Sequence, residues 1–484
     1  VFFTLLSTVA EEPAALVEGQ RLALQYCAAC HLFPEPSLLD QRTWREGTEP
    51  AMLRIMGFNR LDTNAPDGRD LMRQWRLIWD WYYASAPAKA LPQPPRPKTR
   101  LTLTNFTAIP LDYRPTNRMT TLVRIDPVRH QLYAGNQDAR SLDVLDSRGR
   151  MLSTLPVESP AVGLVERPDG WYVPLIWSLS PHDTRQGKVL TLARDGDTFR
   201  QSAAVIVDLP RPTCLAVTDL NGDGRDDVVT CGYGNVLGAF SWWENTGSGY
   251  TEHVLLDRAG ATHVEVADLN GDGRPDLVVQ MAQAREGLYW FENRGAGGFI
   301  PHTIAEFPPT WGSSSFILVD LDRDGLLDVV ATNGDNGEYN SCLKPYHGIR
   351  LYRNTAGKGH PPAFTETWFF PLHGAYGVRA MDFDGDGDLD LAAISYFADY
   401  DGAREDSFVV LWNDGAGTWR PETLDEGMSG RWIVMDAGDL DGDGAPDIVL
   451  GASNRVPFRA PKALYSAWES SGPTLLLLHN ERHR

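Results

Sequence analysis

Five short segments of this chain repeat one acidic pattern: DLNGDGRDD at 219–227, DLNGDGRPD at 268–276, DLDRDGLLD at 320–328, DFDGDGDLD at 382–390 and DLDGDGAPD at 439–447. Each puts oxygen-bearing side chains at positions one, three, five and nine, with glycine at position six. A chain that wraps one hard cation needs alternate oxygens pointing inward and a sharp bend between them, which a glycine permits. The candidate ligands are Asp219, Asn221, Asp223 and Asp227; Asp268, Asn270, Asp272 and Asp276; Asp320, Asp322, Asp324 and Asp328; Asp382, Asp384, Asp386 and Asp390; and Asp439, Asp441, Asp443 and Asp447. Calcium suits such an oxygen-rich cage better than magnesium, which keeps its waters. An EF-hand would need Glu at position twelve and flanking helices; Thr230, Val279, Ala331, Ala393 and Leu450 stand there, and the flanks alternate like strands. Solvated Asp/Gly turns without metal are the competing reading.

Successive loops start 49, 52, 62 and 57 residues apart. Each precedes an apolar run such as Leu277-Val278-Val279 and then an aromatic strand ending in Asn, as at Asn245, Asn293 and Asn354. Several short strands per period of about 50 residues predict propeller blades. The stretch 100–484 holds seven such periods, so 100–212 must supply two blades without the acidic loop. Strand-like runs at Leu122–Ile125, Gln131–Ala134, Trp171–Leu175 and Val189–Leu192 fit that expectation. Ring closure would pair Leu101–Phe106 with Thr474–Leu478, which also hides open sheet edges. These repeats resemble the FG-GAP or VCBS-type repeats of integrin-α-like propellers, by motif over 213–484. The resemblance implies loops that rigidify blades through calcium rather than catalyse.

Before residue 100 the pattern is different. Ala14 to Ala29 and Asp70 to Tyr83 read as helices, the second with Leu71, Trp75, Ile78, Trp79 and Tyr82 at three- and four-residue steps and Asp70 as a possible N-cap. A short helix is expected around Trp44 to Met56. Residues 87–99 are proline-rich and read as a stiff spacer between a small helical domain, 13–86, and an all-β seven-bladed propeller, 100–484. The opening ten residues, mostly apolar and too short to span a bilayer, read with Glu11 and Glu12 as the remnant of a secretory signal, 1–12.

The helical stretch contains Cys27-Ala28-Ala29-Cys30-His31. Two thiols one turn apart can each bond a haem vinyl group while the adjacent His reaches the iron. A lone disulfide or a zinc site are the alternatives, but no second ligand pair lies nearby. Residues 13–86 resemble a small class I cytochrome c, with Pro34 matching the proline that follows the His in that family. The resemblance implies covalent haem c on Cys27 and Cys30, His31 on the iron, and attachment outside the bacterial cytoplasm. It also implies a sixth ligand, for which Met56 is the candidate and Met52 and Met72 the alternatives.

A formal charge of −20 argues against nucleic-acid and anionic-membrane surfaces, and 18 of the 64 acidic residues occupy the ligand positions of the five loops. Cys214 and Cys231 flank the first loop and are open to two readings, a disulfide or two buried thiols. A polar insertion, 333–348, with His373, Tyr376, Tyr396 and Asp399, could line one mouth of the ring. These features predict an exported electron-transfer protein, periplasmic or extracellular, that meets a redox partner protein and uses the propeller loop face to hold a protein or a carbohydrate. The alternatives are a propeller oxidoreductase, such as a sugar dehydrogenase, feeding its own cytochrome domain, and an adhesive propeller.

Overall fold

Each acidic segment ends on a strand that reads as a continuous apolar run, because that strand is covered on both faces. Leu277 and Val279 point into one apolar cluster and Val278 into another, so a single strand serves two neighbouring blades. Repeated around the chain, this builds seven four-stranded antiparallel sheets in a computed structural model that describes residues 14–180, 182–234, 236–337, 342–357, 359–454 and 460–481. The signal-sequence expectation for 1–12 falls outside them.

The chain divides into two compact units. Among the described residues, one comprises 14–93 with Gly337 and 342–344; the other comprises 94–336 with 345–481. The second unit is a seven-bladed β-propeller. Its blades run over 120–156, 165–209, 212–256, 261–306, 313–371, 375–422 and 432–480. Seven apolar clusters fill the seven gaps between successive blades, including the gap between the last blade and the first. The expected strands of the two loop-free blades fall in Thr120–Asp126, Gln131–Asn136, Gly170–Leu175 and Gly187–Asp195.

Closure comes from a strand five residues later than expected. Phe106–Pro110 pairs antiparallel with Leu475–Asn480, Ala108 opposite Leu478. The segment before it is engaged elsewhere: Arg100 and Leu103 donate their amides to the carbonyls of Pro421 and Thr423 at 3.1 Å each. Leu101 is exposed while Leu103 is buried, so the run lacks a face to lay on the last sheet. The second half of the proline-rich stretch is also tied down. Thr99 Oγ1 donates to Asp406 at 2.7 Å and Arg96 pairs with the same carboxylate.

In the helical unit, Ala14–Cys27 packs against Pro66–Ser85. Gly19 makes that approach possible, since a Cβ there would lie 2.2 Å from the Leu77 carbonyl oxygen. The second helix starts earlier than Asp70. Ala65 is its N-cap and Pro66, with φ preset for a helix, opens it. Asp70 lies inside and accepts from Arg73 and Gln74. Between the two helices, Asp40 caps Gln41–Thr43, and a π-turn at Trp44–Thr48 leads into Glu49–Ile55. The core is mostly aromatic: Trp44, Trp75, Trp79, Trp81 and Tyr82 with Leu22 and Ala23, and Cys342 packs beside them. Among the described residues no helix is long and apolar enough to cross a membrane.

Candidate functional site

All five acidic loops join the first and second strands of a blade and share one scaffold. The ninth-position carboxylates Asp227, Asp276, Asp328, Asp390 and Asp447 are buried. One oxygen of each accepts the amide of the asparagine that ends the third strand; the donors are Asn245, Asn293, Asn354, Asn413 and Asn480, at 2.7–2.9 Å. In four of the loops the other oxygen accepts the amide of the second loop residue, at 3.0–3.2 Å. Asn245, Asn293, Asn413 and Asn480 also return a side-chain bond to the carbonyl of the eighth loop residue. The aromatic strand therefore ends in Asn for a structural reason.

The sixth glycine of each loop has positive φ, from 84° at Gly224 to 102° at Gly387. Position four is left-handed as well, and in the third loop it is held by Arg323 at φ 60°, which an L side chain adopts at a cost.

The loops then separate by charge. In the first two, position three is neutral: the Asn221 amide donates to Glu244 and that of Asn270 to Glu292. The position-five carboxylates Asp223 and Asp272 pair with Arg225 and Arg274. In the others carboxylates converge. Oxygens of Asp320, Asp322 and Asp324, of Asp382, Asp384 and Asp390, and of Asp439, Asp441 and Asp443 each lie within 4.8 Å of one another. His479 joins Asp441 and Asp447 in the last loop, and Arg353 pairs with Asp322 in the third.

Glu244, Glu292, Arg353 and His479 occupy one equivalent position, just before the terminal Asn of the third strand. Sequence reasoning missed them as loop partners. Their signal was present in the residue before each repeated Asn.

Crowding shows in the acidities. Burial, with Asp324 and Asp320 nearby, raises Asp328 to about 6. Burial, with Asp384 and Asp386, raises Asp390 to about 7. Asp320 Oδ1 and Asp328 Oδ2 are buried without a hydrogen-bond donor. Orphaned buried carboxylate oxygens beside a convergent acidic cluster fit a hard divalent cation, so the donor set suits calcium.

In the helical unit, Cys27 closes the first helix half-buried, and Cys30 lies exposed in the turn after it. Burial raises the Cys27 thiol to about 11, partly offset by the neighbouring Tyr82 hydroxyl. His31 Nδ1 lies 2.8 Å from the Leu32 carbonyl oxygen, and burial lowers the ring's basicity. The carbonyl can only accept, so Nδ1 carries the proton and Nε2 keeps its lone pair. Tyr82 donates to the Pro34 carbonyl at 2.8 Å and Trp44 to that of Pro36 at 2.9 Å, which fixes the turn after the motif. Thr48 Oγ1 and Trp79 Nε1 are buried without partners. Met52 and Met72 pack against the core, whereas Met56, at the end of its helix, is 46% exposed.

Of the expected mouth residues, His373 stacks on His347 at 5.0 Å and Tyr376 meets Tyr396 at 5.3 Å. The buried Arg431 guanidinium sits 4.0 Å from the centre of the Tyr396 ring. Asp399 closes a local turn by accepting from Gly402. Part of the polar insertion, 338–341, lies outside the described residues.

The family profile described as an FG-GAP-like repeat matches residues 219–279 and 281–331. The chain thus carries FG-GAP-like repeats in a seven-bladed propeller. Among solved structures it is similar to BBS1N crystallised in complex with ARL6DN and soaked with mercury, at 11% identity and a TM-score of 0.46, covering 76% of this chain and 94% of that one. It is also similar to the N-terminal domain of Nup159, at 12% identity and a TM-score of 0.42, covering 81% and 99%. No curated protein sequence matches it significantly.

Proposed function

We propose that this is an exported haem-c protein that transfers electrons, with a calcium-braced propeller as its recognition platform for a partner protein or a carbohydrate. The observation that carries the reading is His31, one residue beyond a Cys-x-x-Cys at a helix end, with Nδ1 tied to a backbone carbonyl and Nε2 left free to ligate. Cys27 and Cys30 would anchor the porphyrin. When bound, haem c supplies a one-electron iron couple. The buried donors Thr48 Oγ1 and Trp79 Nε1 could meet polar edges of such a group. For the sixth position, the packing of Met52 and Met72 favours them over the exposed Met56. The propeller's part is mechanical: five loops, each eight residues from strand to strand, crowd carboxylates that repel one another and would be drawn together by calcium.

Covalent haem is tested by expressing the whole chain with haem-maturation machinery and recording a pyridine haemochrome spectrum after denaturing extraction. The expected result is haem that stays with the protein, lost in Cys27→Ser/Cys30→Ser. A wild-type protein without a Soret band ends the reading.

A further inference from the structure

Two cysteines that flank the first acidic loop meet across a strand pair. Cys214 lies on the innermost strand of the third blade, just after a bulge, and stands in direct register with Cys231 on the adjacent antiparallel strand. Side chains opposed in this way share a face, at a separation that a disulfide can bridge.

Their surroundings are unequal. Cys231 is fully buried in the apolar cluster between the third and fourth blades, and Cys214 lies half-buried at its edge. His263, on the innermost strand of the fourth blade, places Nδ1 3.5 Å from Cys214 Sγ. Its Nε2 lies 3.5 Å from Glu265, and both side chains are about a third exposed. Glu265 is itself held by the Leu318 amide at 3.3 Å, and the Phe316 ring meets the imidazole edge-on at 5.1 Å. One thiol thus belongs to a partly exposed residue with a base beside it and a carboxylate behind that base, while the other has none of these.

We propose that Cys214 and Cys231 form a thiol–disulfide exchange couple whose substrate class is a disulfide, with Cys214 attacking, His263 holding its proton and Cys231 resolving. The Cys214 thiolate attacks one sulfur of RS–SR, forming Cys214–SR and expelling RS⁻. Cys231 then attacks Cys214 Sγ, forming the Cys214–Cys231 bond and expelling the second RS⁻. Two electrons pass from the cysteines to the substrate, and the two thiol protons end on the two RS⁻ groups. The same steps run backwards when a dithiol meets the oxidised pair. Glu265 is a positioning residue that orients the imidazole. The electrostatics agree with this division. The neighbouring Cys231 thiol and the His263 charge hold the Cys214 thiol well below its ordinary value despite burial, whereas burial pushes the Cys231 thiol up.

The test uses the whole chain, reduced, then incubated with glutathione disulfide at neutral pH, acid-quenched and mapped by peptide mass spectrometry. The expected product is an intramolecular Cys214–Cys231 disulfide. Cys231→Ser should instead accumulate a glutathione adduct on Cys214. In the wild type, iodoacetamide should label Cys214 at least about tenfold faster than Cys231. His263→Gln should slow Cys214 labelling about tenfold with the melting temperature unchanged. Labelling of Cys214 that is no faster than that of Cys231, or a wild-type pair that stays reduced under glutathione disulfide, overturns the proposal without recourse to any variant.

Discussion

The first blade and the sixth solve the same problem by different means. Each turns its first hairpin on a buried aspartate. In the first blade, Asp126 accepts the Arg129 guanidinium at 2.8 Å and the Tyr133 hydroxyl at 2.7 Å, and Arg129 reaches on to Glu166 of the second blade. Burial works against Asp126, yet these donors hold its carboxyl below the usual range. In the sixth blade, Asp390 has two backbone amides but sits among Asp382 and Asp384, and its carboxyl is pushed up to about 7. The contrast teaches that a blade corner must neutralise its acid. One corner carries its own cation, and the other, on the proposed reading, would borrow one.

The largest effect that would sharpen this contrast is chelation. Bound calcium stabilises the folded state by about 4 kcal/mol per site when it is a thousandfold above Kd. Stripping several loops should therefore lower the melting temperature by roughly 10 °C or more, reversibly on adding calcium. A melting curve indifferent to chelator would erase the distinction between the blades.

A smaller effect is the loss of a pH slope. In the ion-free chain, Asp328 and Asp390 hold protons up to about 6 and about 7, whereas in the unfolded chain they release them near 3.8. Between those values the folded state binds more protons, so metal-free stability should fall as pH rises from about 4 to 7. With calcium in place of those protons, the fall should vanish and stability should stay nearly level over the same window. Urea melts at four or five pH values, with and without calcium, measure both slopes.

The smallest effect lies in the first blade. Arg129→Met should cost about 1 kcal/mol, modest because the guanidinium is a third exposed, and the cost should be the same with or without calcium. A calcium-dependent penalty there would mean that the corners are not independent.

Much of the ring was legible in the sequence because its signal repeats. The acidic corners, the doubly covered Val-rich strands and the blade count all follow from one period. The closing strand was misplaced because Leu101–Phe106 and Phe106–Pro110 are both apolar enough to serve, and only the contacts of Arg100 and Leu103 along Pro421 and Thr423 decide between them. Asp70 looked like a helix start because capping residues are local cues, but Pro66 already supplied one. The partners of the loops were harder to see. Glu244, Glu292 and Arg353 come from the strand after next, and nothing within the nonapeptide announces them. His263 beside Cys214 depends on two blades docking, a contact that no single repeat encodes.

The strand that shuts the ring is made early and used last. Thr107 donates its hydroxyl to Glu481, 374 residues downstream, at 2.6 Å. During synthesis Phe106–Pro110 must wait, with its edge unpaired, until nearly the whole chain has emerged. Contacts so distant along the chain form slowly, and waiting edges invite wrong partners. A ring latched in this way stays open until the tail arrives.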